Sequence, residues 1–151
     1  MKSILAILFI TFAAVSIVFY YKKGTVLSCK SELTVIKKNT RLDMITMLSL
    51  SSGKGVMTIS GVLYDGKDTS AHISKNIRFT YEKNGEIYIL KSDIIVNSPL
   101  MVMSPELEKK WFPGFYSHQG QVMVLKIRPV GEQGWFIYSG VVPQYLCEKE
   151  P

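Results

Sequence analysis

Few side chains in this sequence are of a type and spacing to do chemistry. The two histidines stand apart, His72 within Ser70-Ala71-His72 and His118 within Ser117-His118-Gln119-Gly120. Each reads as an ordinary surface or turn histidine. No stretch resembles the nucleophile elbow GxSxG, the zinc-binding HExxH or a glycine-rich phosphate loop. Asp65 and Asp68 come nearest to a carboxylate pair, but they flank Gly66 in what reads as a solvated turn. The expectation is therefore no catalytic residue, no metal site, no cofactor and no enzymatic activity.

Cys29 and Cys147 are the only cysteines. Far apart and without a CxxC, they make neither a zinc site nor a thioredoxin-type motif. Bonded to each other they would close nearly the whole domain into one loop, worth roughly 4–5 kcal/mol in the chain-entropy model. Such a bond persists only in an oxidising compartment such as a periplasm. Two unrelated buried thiols are the alternative reading.

The element that would set the location of these residues is the first run, Ser3 to Tyr21. It carries no charge in nineteen positions. As an α-helix it would reach roughly 28 Å, against a bilayer hydrocarbon core of about 30 Å. Ile4, Leu5, Leu8, Phe9, Phe12, Val15, Val18 and Phe19 would face lipid, with Tyr20 and Tyr21 as an aromatic belt and Lys22 and Lys23 as interfacial anchors. A cleaved signal peptide has a shorter core, about 7–15 residues. A lipoprotein reading through Val26-Leu27-Ser28-Cys29 places Lys22 and Lys23 between core and cleavage site, the wrong position for charge. The expected organisation is a transmembrane anchor at residues 1–23 and one periplasmic β-rich domain at 24–151. The basic residues after the helix argue for a cytoplasmic domain and the cysteines for a periplasmic one; the cysteines are given more weight.

About 125 residues then remain, enough to bury a core without metal. The net charge of +6 shrinks on division: removing Lys2, Lys22 and Lys23 leaves 15 basic against 12 acidic residues, mixed in sign along the chain. That pattern excludes direct nucleic-acid binding as the reading of the charge.

From Val26 the pattern is one of short β-strands. Met57, Ile59 and Leu63 share one face of the run Gly55 to Tyr64, and Ile77, Phe79 and Tyr81 alternate with polar neighbours. Met44 to Leu50 fits helix and strand periodicity alike, and its neighbours favour strand. Asn39 and Asp65-Gly66 mark turns, and Asn84-Gly85 predicts a type I′ hairpin. Ser104-Pro105-Glu106 opens the one helix. Two strands follow, Gln121 to Pro129 and Gly134 to Leu146. The fold class is mainly β, an antiparallel sheet of seven or so strands curled into a barrel or half-barrel with one short helix. Met101, Met103, Trp111, Phe112, Phe115 and Tyr116 crowd into Pro99 to Tyr116. They suit either a lid packed on the barrel's own core or a surface for a partner or apolar ligand.

The anchor, the run Cys29-Lys30-Ser31-Glu32-Leu33-Thr34-Val35, Gly61-Val62-Leu63-Tyr64, Arg78-Phe79-Thr80-Tyr81 and the closing Cys147 together resemble the FidL-like membrane proteins of enteric bacteria. The resemblance implies a periplasmic disulfide between Cys29 and Cys147 and no catalytic residues. It further implies a layout similar to the ToxS- and PsaF-type companions of ToxR-like transcription regulators. The expected role is an inner-membrane accessory protein that binds the periplasmic domain of a membrane-bound regulator, with a small apolar effector such as a bile salt as a further ligand. A stand-alone binder of small apolar ligands and an envelope assembly factor are the alternatives.

Overall fold

The computed structural model describes residues 27–140 and 142–150; the expected anchor, Ile4 to Tyr21, lies outside them. Among the described residues no helix is long and apolar enough to cross a membrane. Eight strands follow one another around a closed antiparallel barrel in chain order: β1 Leu27–Lys37, β2 Thr40–Ser51, β3 Lys54–Asp65, β4 Asp68–Asn84, β5 Ile87–Asn97, β6 Val122–Val130, β7 Gly134–Ser139 and β8 Val142–Lys149. Nearest-neighbour pairing throughout needs only tight turns, so short connections suffice except between β5 and β6.

The period-2 alternation explains the interior. Met57, Ile59 and Leu63 of β3, and Ala71, Ile73, Ile77 and Phe79 of β4, are all buried, while His72, Arg78 and Thr80 point out. Phe79 lies directly across from Gly55, and its ring occupies the space a Cβ there would need. Glycine at this position is thus a packing device, giving the large ring a flat seat in the sheet.

The turns differ from the sequence pattern in chemistry more than in place. Gly85 alone has positive φ (61°) between the paired residues Asn84 and Ile87, so the expected type I′ turn on Asn84-Gly85 is instead a II′-like turn on Gly85-Glu86. The I′ pattern belongs to Ser52 and Gly53, with φ of 50° and 78°. In the first hairpin Lys38, not Asn39, takes the positive φ of 55°. The run from Gly134 to Leu146 is two strands, because Gly140 (φ 76°) turns the chain after Ser139. MITMLSL is strand, within β2.

The barrel closes between β1 and β8 through only two residue pairs, Cys29 with Lys149 and Lys30 with Glu148. A disulfide joins Cys29 and Cys147 at this seam, both cysteines being buried. Beyond Lys30 β1 pairs only with β2, and before Cys147 β8 pairs only with β7, so the seam splays toward one end. The turns at Lys38-Asn39 and Gly66-Lys67 and the long β5–β6 connection lie at that splayed end. Leu27, Lys149 and the turns at Ser52-Gly53 and Gly85-Glu86 lie at the other. The chain therefore enters the barrel at the end opposite the long connection.

A lidded cavity inside the barrel

The β5–β6 connection folds into a lid. Its core is α1, Pro105–Trp111, followed by a 3-10 turn at Gly114–Tyr116. Ser104 caps α1 by accepting a hydrogen bond from the Leu107 N–H (3.2 Å), Pro105 occupies the first turn, and Glu106 and Glu108 face the positive helix end. The expected helix start is thus the observed one. Trp111, Phe112 and Phe115 then turn into the barrel and are buried. Phe115 packs edge-on against Phe79 with centroids 5.8 Å apart, and Tyr116 packs on both Phe112 and Phe115. From β1, the Lys37 ammonium sits 4.6 Å from the centre of the Trp111 ring and donates to the Lys110 carbonyl (3.4 Å). Ser92, buried on β5, donates to the His118 carbonyl (2.7 Å) and accepts from the Gln121 N–H (3.1 Å), fixing the loop that leaves the lid.

Under this lid lies a cavity of about 250 Å³. The lid contributes Trp111, Phe112, Pro113 and Tyr116; β1 to β3 contribute Leu33, Val35, Met44, Thr46, Met57 and Ile59; β6 to β8 contribute Met123, Leu125, Ile137, Ser139, Gln144 and Tyr145. The wall is mostly aliphatic and aromatic, with Thr46, Ser139, Gln144 and the two tyrosines as its polar points. Burial raises the Tyr116 phenol to about 12, and it raises Tyr145 further, with Tyr116 adding to the effect. Both therefore stay neutral donors at physiological pH. Leu33, Gln144 and Tyr145 also line the cleft outside the splayed seam, so the cavity and the seam adjoin at these three residues. A larger depression of about 770 Å³ over the outer wall of β1 to β4 is an open furrow rather than a chamber.

The sequence-based surface divides on this geometry. Trp111, Phe112 and Tyr116 line the cavity, whereas Phe115 is buried beneath the lid and Met101 and Met103 are half-buried beside it. With Trp111, Phe112 and Phe115 buried, the segment takes the first of its two expected forms, a lid packed on the barrel's own core: the rings face inward because an aromatic in the barrel's interior removes more apolar area from water than one on its rim. The apolar side chains that the segment does expose are Leu100 (81%) and Val102 (65%). Val102 pairs with His72, which places that histidine on the outer wall of β4 as a strand residue, and His118 is exposed in the loop after the lid.

Sequence reasoning missed Lys75 and Glu108. Lys75 follows Ala71 and Ile73 on the inward face of β4, its side chain fully buried, and forms an ion pair with Glu108 of α1. Its ammonium also lies 5.7 Å from the centre of the Phe112 ring. The signal was present: in the alternation Ala71, Ile73, Lys75, Ile77, Phe79 one lysine stands on an otherwise apolar face. A second ion pair lies at the opposite end of the barrel. There the exposed Arg128 donates to Glu86 (2.8 Å) and holds that carboxyl below its usual range. Among the described residues, no three histidine, cysteine or acidic side chains are grouped to hold a metal ion.

No curated protein matches this sequence. A family model does, across residues 26–147, a span that starts at the edge of β1 and ends on the seam cysteine of β8. The chain accordingly belongs to the YqeJ C-terminal domain family.

Proposed function

We propose that this protein is a non-enzymatic, membrane-tethered companion whose barrel works by engaging another protein outside the cytoplasm. The partner would be the periplasmic domain of a membrane-bound regulator of the ToxR-like layout. The class of partner comes from the FidL-like resemblance. The observation that carries the reading is the half-open seam. Beyond Lys30 and before Cys147, two strands offer backbone edges that no strand of this chain takes up among the described residues. Such edges are the usual template for strand addition by a second protein. The disulfide across the same seam suits a periplasmic setting. With residues 1–23 as an anchor, confinement to the bilayer would raise the effective concentration of a co-anchored partner, so a modest interface would stay occupied.

The test is site-specific photocrosslinking in cells, with the crosslinker at Thr34 on the β1 edge, at Gln144 on the β8 edge and at Thr80 on the opposite wall as control. All three side chains are exposed. A single-pass protein with a cytoplasmic DNA-binding domain, captured from Thr34 and Gln144 but not from Thr80, is the expected result. Equal capture from all three sites, or capture only of soluble periplasmic clients, rejects this placement and favours an assembly-factor role.

A second reading is favoured by the lidded cavity, which makes the barrel a chamber for a small apolar molecule. At about 250 Å³ it falls just below the usual range of ligand sites, about 300–1,000 Å³. A single short chain fits that space better than a fused-ring bile salt, which would need the lid to move. Saturable binding of an apolar probe without any partner, lost in Leu33→Trp, is the outcome that supports it.

A further inference from the structure

The Lys75–Glu108 pair has no evident structural necessity. A buried ion pair recovers its desolvation cost poorly, and a well-packed apolar pair of similar volume would hold a lid to a barrel wall at least as well. Yet here a lysine buried among the apolar side chains of the inward face of β4 pairs with Glu108 of the lid. Two contacts put this charge immediately behind the cavity wall. Ile59, the cross-strand neighbour of Lys75, lines the cavity, and so does Phe112, the ring beneath the ammonium. Any displacement of α1 that withdraws Glu108 leaves a desolvated ammonium beside an apolar chamber, which is the arrangement that recognises an anionic amphiphile.

We propose that Lys75 is the head-group anchor of a binding site for a medium-chain carboxylate, and that Glu108 is the internal carboxylate that holds this place while the lid is shut. The inference rests on the reading of the cavity as an apolar chamber. The ligand's alkyl chain occupies the space among Leu33, Ile59, Leu125 and Ile137, and its carboxylate takes over the ion pair as Glu108 moves out with α1. No bond is made or broken; one carboxylate replaces another on the same ammonium. Trp111, the last residue of α1, moves with the helix in the exchange, and its buried Nε1–H, unpartnered in the closed lid, changes surroundings as it does so.

The experiment uses the full chain in nanodiscs in a Trp135→Phe background, which leaves Trp111 as the one fluorophore of its kind. Decanoate and decanol serve as probes, with free concentrations fixed by equilibrium dialysis so that partition into lipid cancels between variants. The expected result is saturable change in Trp111 emission with decanoate favoured over decanol by tenfold or more. Glu108→Gln removes the internal competitor and tightens decanoate binding by about tenfold, a change of about 1.4 kcal/mol. Lys75→Met abolishes the preference. Because either single variant leaves one member of the pair altered, the double variant K75M/E108L is measured beside them; folded by circular dichroism, it binds the two probes equally. Equal binding of decanoate and decanol by the unaltered pair, or a carboxylate preference that survives in K75M/E108L, overturns the anion site while leaving the apolar chamber standing. Failure of both probes to bind overturns the two together.

Discussion

Replacing both seam cysteines by alanine, C29A/C147A, removes the one covalent link across the weakest junction of the barrel. The two cysteines are 118 positions apart in sequence, so the chain-entropy model gives about 5 kcal/mol of stabilisation from constraining the unfolded chain. Domains of this kind have total stabilities of about 5–15 kcal/mol, so the loss is between a third and the whole of it. The ladder cannot compensate, since β1 and β8 share two residue pairs where β2 and β3 share twelve. Urea unfolding of the full chain in mild detergent is the assay. With a slope of about 2 kcal/mol per molar, the midpoint falls by about 2.5 M. Native-state hydrogen exchange then locates the effect: amides of β1 and β8 open before those of β3 and β4, because seam opening requires no other ladder to break. A loss below about 1 kcal/mol would refute the reasoning, and so would an equal rise in exchange on all strands, which would mean that the seam is held by packing alone.

Further expectations follow from single sites. Glu108→Gln leaves a buried ammonium without its counter-charge and costs about 3–5 kcal/mol, whereas K75M/E108L recovers most of it; denaturant midpoints of the two variants beside the unaltered protein check both values. Gly55→Val drives a side chain into the seat of the Phe79 ring and costs about 1–3 kcal/mol, seen as a melting temperature lower by about 4–12 °C. Lys38→Gly relieves a left-handed backbone at a non-glycine residue and raises stability by about 0.5–1 kcal/mol in the same measurement. In alkali, Tyr116 and Tyr145 keep their protons in the folded protein while the unfolded chain loses them near pH 10. Stability therefore falls as pH rises from about 10 toward 12, and phenolate absorbance from these two rings appears together with unfolding. Ionisation of both rings in the folded barrel near pH 10 would show that they are not shielded.

Much of the architecture can be read from local pattern, and the limits of that reading fall at particular residues. Alternation in Gly55 to Tyr64 and in Ile77 to Tyr81 identifies the inward faces of β3 and β4, because a strand side chain has only two directions to point. The start of α1 is legible because Ser104, Pro105 and Glu106 each satisfy a requirement of a helix N-terminus without help from the rest of the fold. The choice of Gly85-Glu86 over Asn84-Gly85 as turn was not legible, since it depends on which residues pair on either side. Lys75 extends an apolar alternation that a hydropathy pattern ends at the first charge, so β4 appears shorter in sequence than it is.

What the sequence determined by itself is the β-rich class, the place of the one helix and the presence of two cysteines at the ends of the domain, all properties of residue type and short-range spacing. The tertiary structure alone decided that the sheet closes, that Cys29 and Cys147 lie on its closing seam, that Trp111, Phe112 and Phe115 turn inward, and that Lys75 meets Glu108. These are contacts between residues dozens of positions apart. They depend on how twist and register accumulate over eight strands, a sum that no local window of the chain contains.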